Sequence, residues 1–394
     1  MNALSNKDSE RGFRALFLSL LLWSTQPHLV VFTLLFLNKG ISLTQFFVIQ
    51  SVGSITALVL ELPTGILADR LGRKFSIVTS LALGLVCNPL FILSDNLWVL
   101  YSASFLGGLS GALRSGADEA LFFDSLKAMK REDEYTRLNG KLRKWSGYTG
   151  LAASLGGGAL GAINPSLAWW CWEALVALAF VSALFITEPK VADHARPDSV
   201  FSHLQESLKT VFRSHARFFV MYAVSVWLFF GTAFWFWQPY LTSIGVPVAW
   251  FGVLYALTGV AGGYGGSAVA WLERRLSAKS ILLIPPLLLG LTLAGEASCP
   301  WILGALFLLS QSFASGIFFV STDHMIHTRI ESATRATVLS VKNMLSSLLF
   351  AAFSPLLGYL ADALSLSYAL AAMAIGVSVV GLACFLAYPR QATQ

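Results

Sequence analysis

The chain has 394 residues, of which 56% are hydrophobic and 12% are Asp, Glu, Lys or Arg, and its formal net charge is +6. Soluble domains carry about twice this charged share, so the composition excludes an ordinary soluble protein. The basic residues cluster in short segments between apolar runs, which gives a nucleic-acid-binding function no support. The four cysteines lie far apart in sequence and match no disulfide or zinc spacing.

Apolar runs without charged residues recur along the whole chain. A helix needs about 20 such residues to cross the hydrocarbon core of a bilayer, and the run from 218 to 272 must hold two. No segment alternates with the two-residue period of a barrel strand. The sequence therefore predicts an all-α, polytopic membrane protein. Twelve spans are expected, near residues 15–37, 42–68, 75–94, 97–123, 142–163, 166–187, 218–242, 248–272, 279–295, 300–327, 334–361 and 365–387.

The twelve spans fall into two sets of six. A polar segment of residues 188–217 separates them, so we expect an N-terminal six-helix bundle of residues 1–187 and a C-terminal bundle of residues 218–394. Within the linker, apolar side chains at helical spacing predict an amphipathic surface helix. These side chains are Phe201, Leu204, Leu208, Val211 and Phe212.

The basic residues predict the orientation. All of the 27 lysines and arginines except Lys39 and Arg114 fall on the side of the membrane that holds both termini. Because cytoplasmic loops carry the excess of Lys and Arg, we expect both termini and the 188–217 linker in the cytoplasm. The expected location is the inner membrane of a bacterium. The first charged stretch precedes a full-length span, so no cleavable secretory signal is predicted.

The loop between the second and third spans carries a compact charged motif. Its residues are Gly65, Asp69, Arg70, Gly72, Arg73 and Lys74. The motif resembles the loop 2–3 signature of the major facilitator superfamily, Gly-x3-Asp-Arg/Lys-x-Gly-x-Arg/Lys. The resemblance implies the fold of that family, two pseudo-symmetric six-helix bundles that work by alternating access.

The resemblance also implies a cytoplasmic gate. A buried Asp69 would hold the loop against the eleventh span, and the basic residues would form a charge relay with Asp124, at the end of the fourth span. The alternative is that the basic residues only anchor the loop on the cytoplasmic side, which would not explain a buried Asp69.

The two halves of the sequence echo each other. The spacing between Asp118 and Asp323 also separates Gly40 from Gly245, and each Asp follows a Ser-Gly pair that begins eight residues earlier. Internal repeats of this kind are common in transporters. The echo predicts that the fourth span corresponds to the tenth.

The fourth span contains Arg114, Asp118 and Glu119. A central charge costs about 2.5–3.5 kcal/mol on insertion scales, so none of the three is expected to face lipid. Arg114 and Asp118 are four residues apart, which places them on one helical face as a pair, whereas Glu119 points about 100° away. The pair is either a structural ion pair or a switch in which Asp118 or Glu119 carries a proton or binds a cation.

The tenth span supplies Asp323, His324 and His327. Histidine titrates near neutral pH, so Asp323 and His324 are candidates for proton coupling. Asp323 and His327 also have the i, i+4 spacing of metal ligands, but no third ligand is evident in the sequence, so no metal site is predicted. No cofactor is expected.

Other spans contribute polar and aromatic candidates. In the first span, Gln26 and His28 flank Pro27, which predicts a kink near mid-membrane, and in the seventh span Trp235 and Gln238 suggest an aromatic wall. Glu173 lies among tryptophans that are typical of an outer interfacial belt.

Small residues predict close approach between helices. The resemblance implies that spans 5 and 8 meet across the two halves, where the candidate interface glycines are Gly147, Gly156, Gly262 and Gly266. Gly147-x8-Gly156 fits part of the family's antiporter motif, but the Gly-Pro step of that motif is absent.

These observations predict a secondary active transporter that moves a small organic solute by alternating access, with proton-coupled export as the main hypothesis. The alternatives are an importer of a metal chelate or metabolite and a non-transporting receptor or scaffold. A membrane enzyme is not expected, because no nucleophile, base and orienting group converge in the sequence. The expected partners are the solute, protons and the lipid bilayer, with no nucleic acid, and the chain is expected to be a monomer.

Overall fold

A computed structural model describes residues 6–189, 209, 211–212, 217–298, 304–330 and 335–389. The residues described form helices and connecting turns, with no β-strand among them. The helices are α1 (Asn6–Ser24), α2 (Phe32–Asn38), α3 (Leu43–Leu71), α4 (Arg73–Leu93), α5 (Leu97–Arg114), α6 (Ala117–Ala128), α7 (Tyr135–Ile163), α8 (Pro165–Leu184), α9 (Arg217–Ser243), α10 (Val248–Glu273), α11 (Ala278–Ser298), α12 (Ala305–His327), α13 (Arg335–Ala363) and α14 (Leu366–Leu386). Most of the predicted linker and of its amphipathic helix lies outside the described residues.

Ten helical segments in the described part of the chain are long and apolar enough to cross a membrane. They include α1 together with α2, and they leave out α5 and α7, in which glycine and serine lower the mean hydropathy. With α5 and α7 added, the segments are consistent with twelve spans. The prediction of an all-α polytopic protein is confirmed.

Two of the predicted spans are broken helices. The first span consists of three pieces: α1, which ends at Ser24, a 3₁₀ helix over Pro27–Val31, and α2. Pro27 has no backbone N–H to donate, which accounts for a break at the position where the sequence predicted a kink.

The fourth span was predicted as one helix over residues 97–123, and this prediction is wrong. Gly116 has φ of 74°, so the chain leaves the helical region between α5 and α6. A left-handed residue of this kind favours glycine, and the Ser115-Gly116 dipeptide is the sequence signal that marks the break.

The two glycines of the predicted repeat adopt the same conformation. Gly40 and Gly245 both have φ of 76°. Each follows a span and closes it with the same pair of backbone hydrogen bonds, Gly40 to Leu37 and Ile41 to Phe36 in one case and the equivalent pair after α9 in the other. This arrangement is the Schellman motif, which requires a left-handed residue after the helix.

Residues of the chain group into two compact units. The first comprises Met1–Leu35 and Val52–Arg196, and the second comprises Phe36–Ser51 and Pro197–Gln394. The grouping assigns the first nine residues of α3 to the second unit, although the helix itself is continuous. The predicted bundles, 1–187 and 218–394, remain a prediction.

Each unit has its own packed interior. In the first unit, α4 packs on α5 and α8, and Leu81, Leu100 and Trp169 are almost completely buried. In the second unit, α10 packs on α12 so closely that a Cβ added to Gly265 or Gly316 would collide with a backbone carbonyl of the other helix. Small residues permit such contacts between helices in lipid.

Candidate functional site

The break in the fourth span places an ion pair inside the first unit. Arg114 ends α5, Asp118 lies in the first turn of α6, and the distance between Arg114 Nε and Asp118 Oδ2 is 2.7 Å. The guanidinium is 7% exposed and lies 4.4 Å from the centre of the Trp23 ring. The predicted pair therefore forms, but across a turn that joins two helices and not along one helical face.

The pair leaves hydrogen-bonding groups unused. Arg114 Nη1 and Nη2 and Asp118 Oδ1 are buried and have no hydrogen-bond partner among the residues described. Unpaired buried donors are costly, so a guanidinium in this position favours a water or a solute that brings acceptor oxygens.

Glu119 lies apart from this pair. Its side chain is 78% exposed and 4.0 Å from Arg143, which is itself 75% exposed. Glu61, on α3, instead approaches the break, where it accepts a hydrogen bond of 3.2 Å from Ser115 Oγ. The three charges of the predicted fourth span therefore do not form one cluster.

The charged motif between α3 and α4 is organised around Gly72, whose φ is 97°. Arg73 forms an ion pair with Asp124, so the structure brings these two motif residues together. Asp69 and Arg70 are exposed, and the expectation of a buried Asp69 is wrong. The role of the motif as a gate remains a prediction.

Glu188 completes this motif, and the sequence analysis did not identify it. Its carboxylate accepts hydrogen bonds from the backbone N–H groups of Arg73, at 2.9 Å, and Lys74, at 2.6 Å. These N–H groups belong to the first turn of α4 and have no partner within the helix, so Glu188 caps α4. Lys74 Nζ donates to the carbonyl of Leu184, at 2.8 Å, which fixes the end of α8 to the same turn.

An ion-pair network lies in the connection between α6 and α7. Arg131 contacts Glu134 at 2.6 Å and Glu10 at 3.0 Å, and Arg137 also pairs with Glu134. The hydrogen bonds from Arg131 and Arg137 lower the pKa of Glu134 to about 2. Glu134 therefore stays ionised over the whole physiological pH range.

His28 lies in the interior of the first unit. It is 3% exposed, stacks on Trp172 at 3.7 Å between ring centres and meets Trp169 edge-on at 4.8 Å. Both tryptophans are buried, since Trp169 is 1% and Trp172 is 8% exposed. The expectation that they belong to an interfacial belt is therefore wrong. Glu173 is buried too, and Asn88 donates a 2.9 Å hydrogen bond to it. Gln26 is half-buried and donates to the carbonyl of Trp23.

The second unit contains a cavity of about 220 Å³ between α9, α12 and α13. Asp323 and Lys342 line it, with a hydrogen bond of 3.2 Å from Lys342 Nζ to Asp323 Oδ1. Aromatic and polar side chains form the rest of the wall. They include Trp227, Phe318, Phe319, Thr322, Asn343 and Ser346.

Lys342 falls within the predicted eleventh span, 334–361, but the sequence analysis did not select it as a candidate. It lies two turns inside α13, 20% exposed, opposite Asp323. Thr322 is 2% exposed, and its hydroxyl has no hydrogen-bond partner among the described residues. His324 is exposed and is not among the residues that line the cavity. In the described part of the chain, no three His, Cys, Asp or Glu side chains come together as metal ligands would.

A buried polar chain links α9, α12 and α11. Trp237 Nε1 donates to Gln311 Oε1 at 3.1 Å, and Gln311 Nε2 donates to Glu296 Oε1 at 2.7 Å. Glu296 and Gln311 are each 3% exposed. The sequence analysis missed both residues. The sequence signal that could have identified Glu296 is that a charged residue lies in the last turn of an otherwise apolar helix. The predicted Gln238 is 5% exposed, and Trp235 packs on Phe46.

The four predicted interface glycines differ in their surroundings. A Cβ at Gly147 or Gly156 would meet no atom within 4 Å, whereas one at Gly262 or Gly266 would contact α12. The tightest approach on α7 is at Gly157, where an added Cβ would collide with the carbonyl of Pro27. The role of the four as interface residues remains a prediction.

The sequence is similar to known transporters. A model of the Major Facilitator Superfamily matches residues 13–348. The MFS-type transporter YxaM of Bacillus subtilis (strain 168) is 26% identical over 239 residues, which are 58% of each chain. The class D tetracycline resistance protein of Salmonella ordonez is 27% identical over 225 residues, 55% of this chain and 54% of the relative. The chain thus spans little more than half the length of these two curated relatives.

Solved transporter structures share the fold. A point variant of the nucleoside transporter NupG has a TM-score of 0.81 and 13% identity, covering 97% of this chain and 100% of that one. A bacterial homologue of the human lysosomal transporter Spinster has a TM-score of 0.73 and 15% identity, covering 98% of each chain. At such identities the likeness shows the fold alone. Because the family model spans most of the sequence and the helical fold agrees with it, the chain belongs to the Major Facilitator Superfamily.

Proposed function

We propose that this chain exports an amphipathic organic solute across a bacterial inner membrane in exchange for protons. The observation that carries the proposal is the Asp323–Lys342 pair in the wall of an aromatic cavity. The cavity is smaller than the roughly 300–1,000 Å³ of sites for drug-sized ligands, so it suits one ring-sized part of a solute.

The pair supplies a simple coupling chemistry. A proton on Asp323 removes the charge that attracts Lys342, and a hydrogen-bond donor or cationic group of the solute competes with that proton for the same carboxylate. Proton and solute therefore exclude each other at Asp323, which is the requirement for exchange.

The relatives favour the outward direction. Proteins of class D from Salmonella ordonez and class E from Escherichia coli are named for tetracycline resistance, and the second aligns with 71% of this chain at 22% identity. A transporter that protects a cell from a drug must move the drug outward. The distribution of lysines and arginines would place both termini in the cytoplasm, which for an exporter is the side from which the solute is taken.

The test uses purified protein in liposomes whose lumen is more acidic than the bath, with tetracycline and ethidium as probes. Molecules inserted with the cytoplasmic face outward should accumulate a probe in the acidic lumen, and Asp323→Asn should lose this response to the gradient. Asp133→Asn, in an exposed connection, is the control for a lost carboxylate. Accumulation that requires the opposite gradient would refute export, and an unchanged gradient response in Asp323→Asn would refute coupling at this pair.

A further inference from the structure

The first turn of α3 has a complete set of hydrogen-bond partners, and one of them comes from a distant part of the chain. Ser42 and Gln45 cap each other: Ser42 N–H donates to Gln45 Oε1 at 3.0 Å, and Gln45 N–H donates to Ser42 Oγ at 3.3 Å. This capping box leaves the N–H groups of Leu43 and Thr44 without a partner inside the helix.

Asp362 accepts both of these N–H groups. Leu43 N–H donates to Oδ1 at 3.1 Å, Thr44 N–H donates to Oδ2 at 2.8 Å, and the Thr44 hydroxyl donates to Oδ2 at 2.5 Å. All three contacts lie within the second unit, which includes residues 36–51. One carboxylate thus satisfies every donor that the capping box leaves free.

The position of Asp362 in its own helix makes this contact unusual. Asp362 is the penultimate residue of α13, where the negative end of the helix dipole disfavours a carboxylate. The positive end of α3 favours the same charge. The side chain is therefore placed against the preference of its own helix and in favour of α3.

The contact continues along both helices. A Cβ added to Gly358 would lie 2.8 Å from the Leu43 carbonyl and from the Phe47 ring, so the two backbones touch there. About two turns away along α13, the carbonyl of Ala351 accepts a hydrogen bond of 3.0 Å from Ser51 Oγ. Beyond Ser51 the residues of α3 belong to the first unit, and the last turn of the helix contains Asp69 and Arg70.

We propose that Asp362 is a positioning residue of the transport cycle, which holds the first turn of α3 against α13 and must release it for this end of the helix to open. The inference rests on the proposed transport by alternating access, in which each end of a spanning helix changes partners once per cycle. On release, water replaces the carboxylate at Leu43 and Thr44. The contact therefore sets how long the end of α3 stays closed.

A reversible cross-link tests the release. In a background with the four cysteines replaced by alanine, Thr44→Cys and Asp362→Cys are combined, oxidised in liposomes, assayed for tetracycline and ethidium flux, and then reduced. We expect oxidation to stop transport by the double variant, reduction to restore it, and neither single variant to respond to oxidation. Transport at an unchanged rate by the cross-linked protein would overturn the proposal.

Hydrogen exchange separates this result from a failure of the proposed function. Asp362→Ala should speed amide exchange at Leu43 and Thr44 by about fivefold or more, the effect of losing a helix cap, while Asp133→Asn leaves it unchanged. If the unmodified protein moves neither probe, the proposed function fails, and exchange still decides whether Asp362 holds α3. Equal exchange in wild type and Asp362→Ala would overturn the contact itself.

Discussion

The Arg114–Asp118 pair allows a quantitative test of whether a buried ion pair in a span serves stability or transport. Asp118→Asn leaves the guanidinium, which is only 7% exposed, without its counter-charge. Removal of one partner of a buried pair costs about 3–5 kcal/mol. Because Asp118 is 26% exposed and water screens part of the interaction, we expect a loss of about 2–3 kcal/mol.

The double variant Arg114→Met/Asp118→Leu removes both charges and keeps apolar volume beside Trp23. Replacement of a whole buried pair by apolar side chains is often neutral, so the double variant should be more stable than Asp118→Asn. The assay is thermal unfolding in detergent, followed by tryptophan fluorescence, for wild type, the single variants Arg114→Met and Asp118→Leu and the double variant. Asp118→Asn is measured beside these four. Losses that simply add in the double variant would refute the reasoning, because they would mean that the two side chains do not interact.

Transport by the same four proteins then assigns the role of the pair. A stable double variant that still moves solute identifies a structural ion pair. A stable double variant without transport identifies Arg114 or Asp118 as a group that acts on solute or proton. The sequence analysis left these alternatives open.

Three further outcomes follow from contacts in the first unit. Gly157→Ala should lower the unfolding temperature, because the added methyl group collides with the Pro27 carbonyl, whereas Gly147→Ala, which meets open space, should not; equal effects would contradict the packing. Glu188→Ala should destabilise the start of α4 by about 1 kcal/mol, which is the usual contribution of a helix cap. The measurement is amide hydrogen exchange in the first turn of α4, which should become faster; unchanged exchange would contradict the capping role. Glu134 has its pKa lowered from 4.5 to about 2, so its ion pairs stabilise the α6–α7 connection above pH 4.5 and are lost as the pH falls toward 2. Pepsin should therefore cleave this connection faster in Glu134→Gln than in wild type at pH 4, and equal rates would contradict the shift.

The sequence was sufficient for the fold because lipid makes composition decisive. Spans are selected by the absence of charge over about 20 residues, and this signal survives uncertainty in every boundary. The predicted repeat extends to backbone geometry: Gly40 and Gly245, which were paired only by their spacing in the sequence, adopt the same left-handed conformation. Local breaks were harder to predict. Hydropathy is insensitive to backbone geometry, so the turn at Gly116 inside an apolar run was missed.

Contacts distant in sequence account for most of what was missed at the site. Glu188 caps α4 from more than 100 residues away, and Asp362 caps α3 from more than 300 residues away, so no local pattern reveals either partner. Asp323 was identified from its charge, but its partner Lys342 was not, because a long basic side chain near the end of a span can equally well lie in the adjoining loop. The pairing of Arg73 with Asp124 was within reach only through the family resemblance.

The twelve residues of α6 have a mechanical consequence. This helix is about 18 Å long and is joined to α5 through the turn at Gly116. Asp118, near its start, forms an ion pair with Arg114, and Asp124, nearly two turns further along, forms one with Arg73 beside the α3–α4 turn. Because one short helix carries both carboxylates, it connects the Arg114 ion pair mechanically to the turn between α3 and α4, and a tilt of α6 changes the geometry of at least one of the two ion pairs.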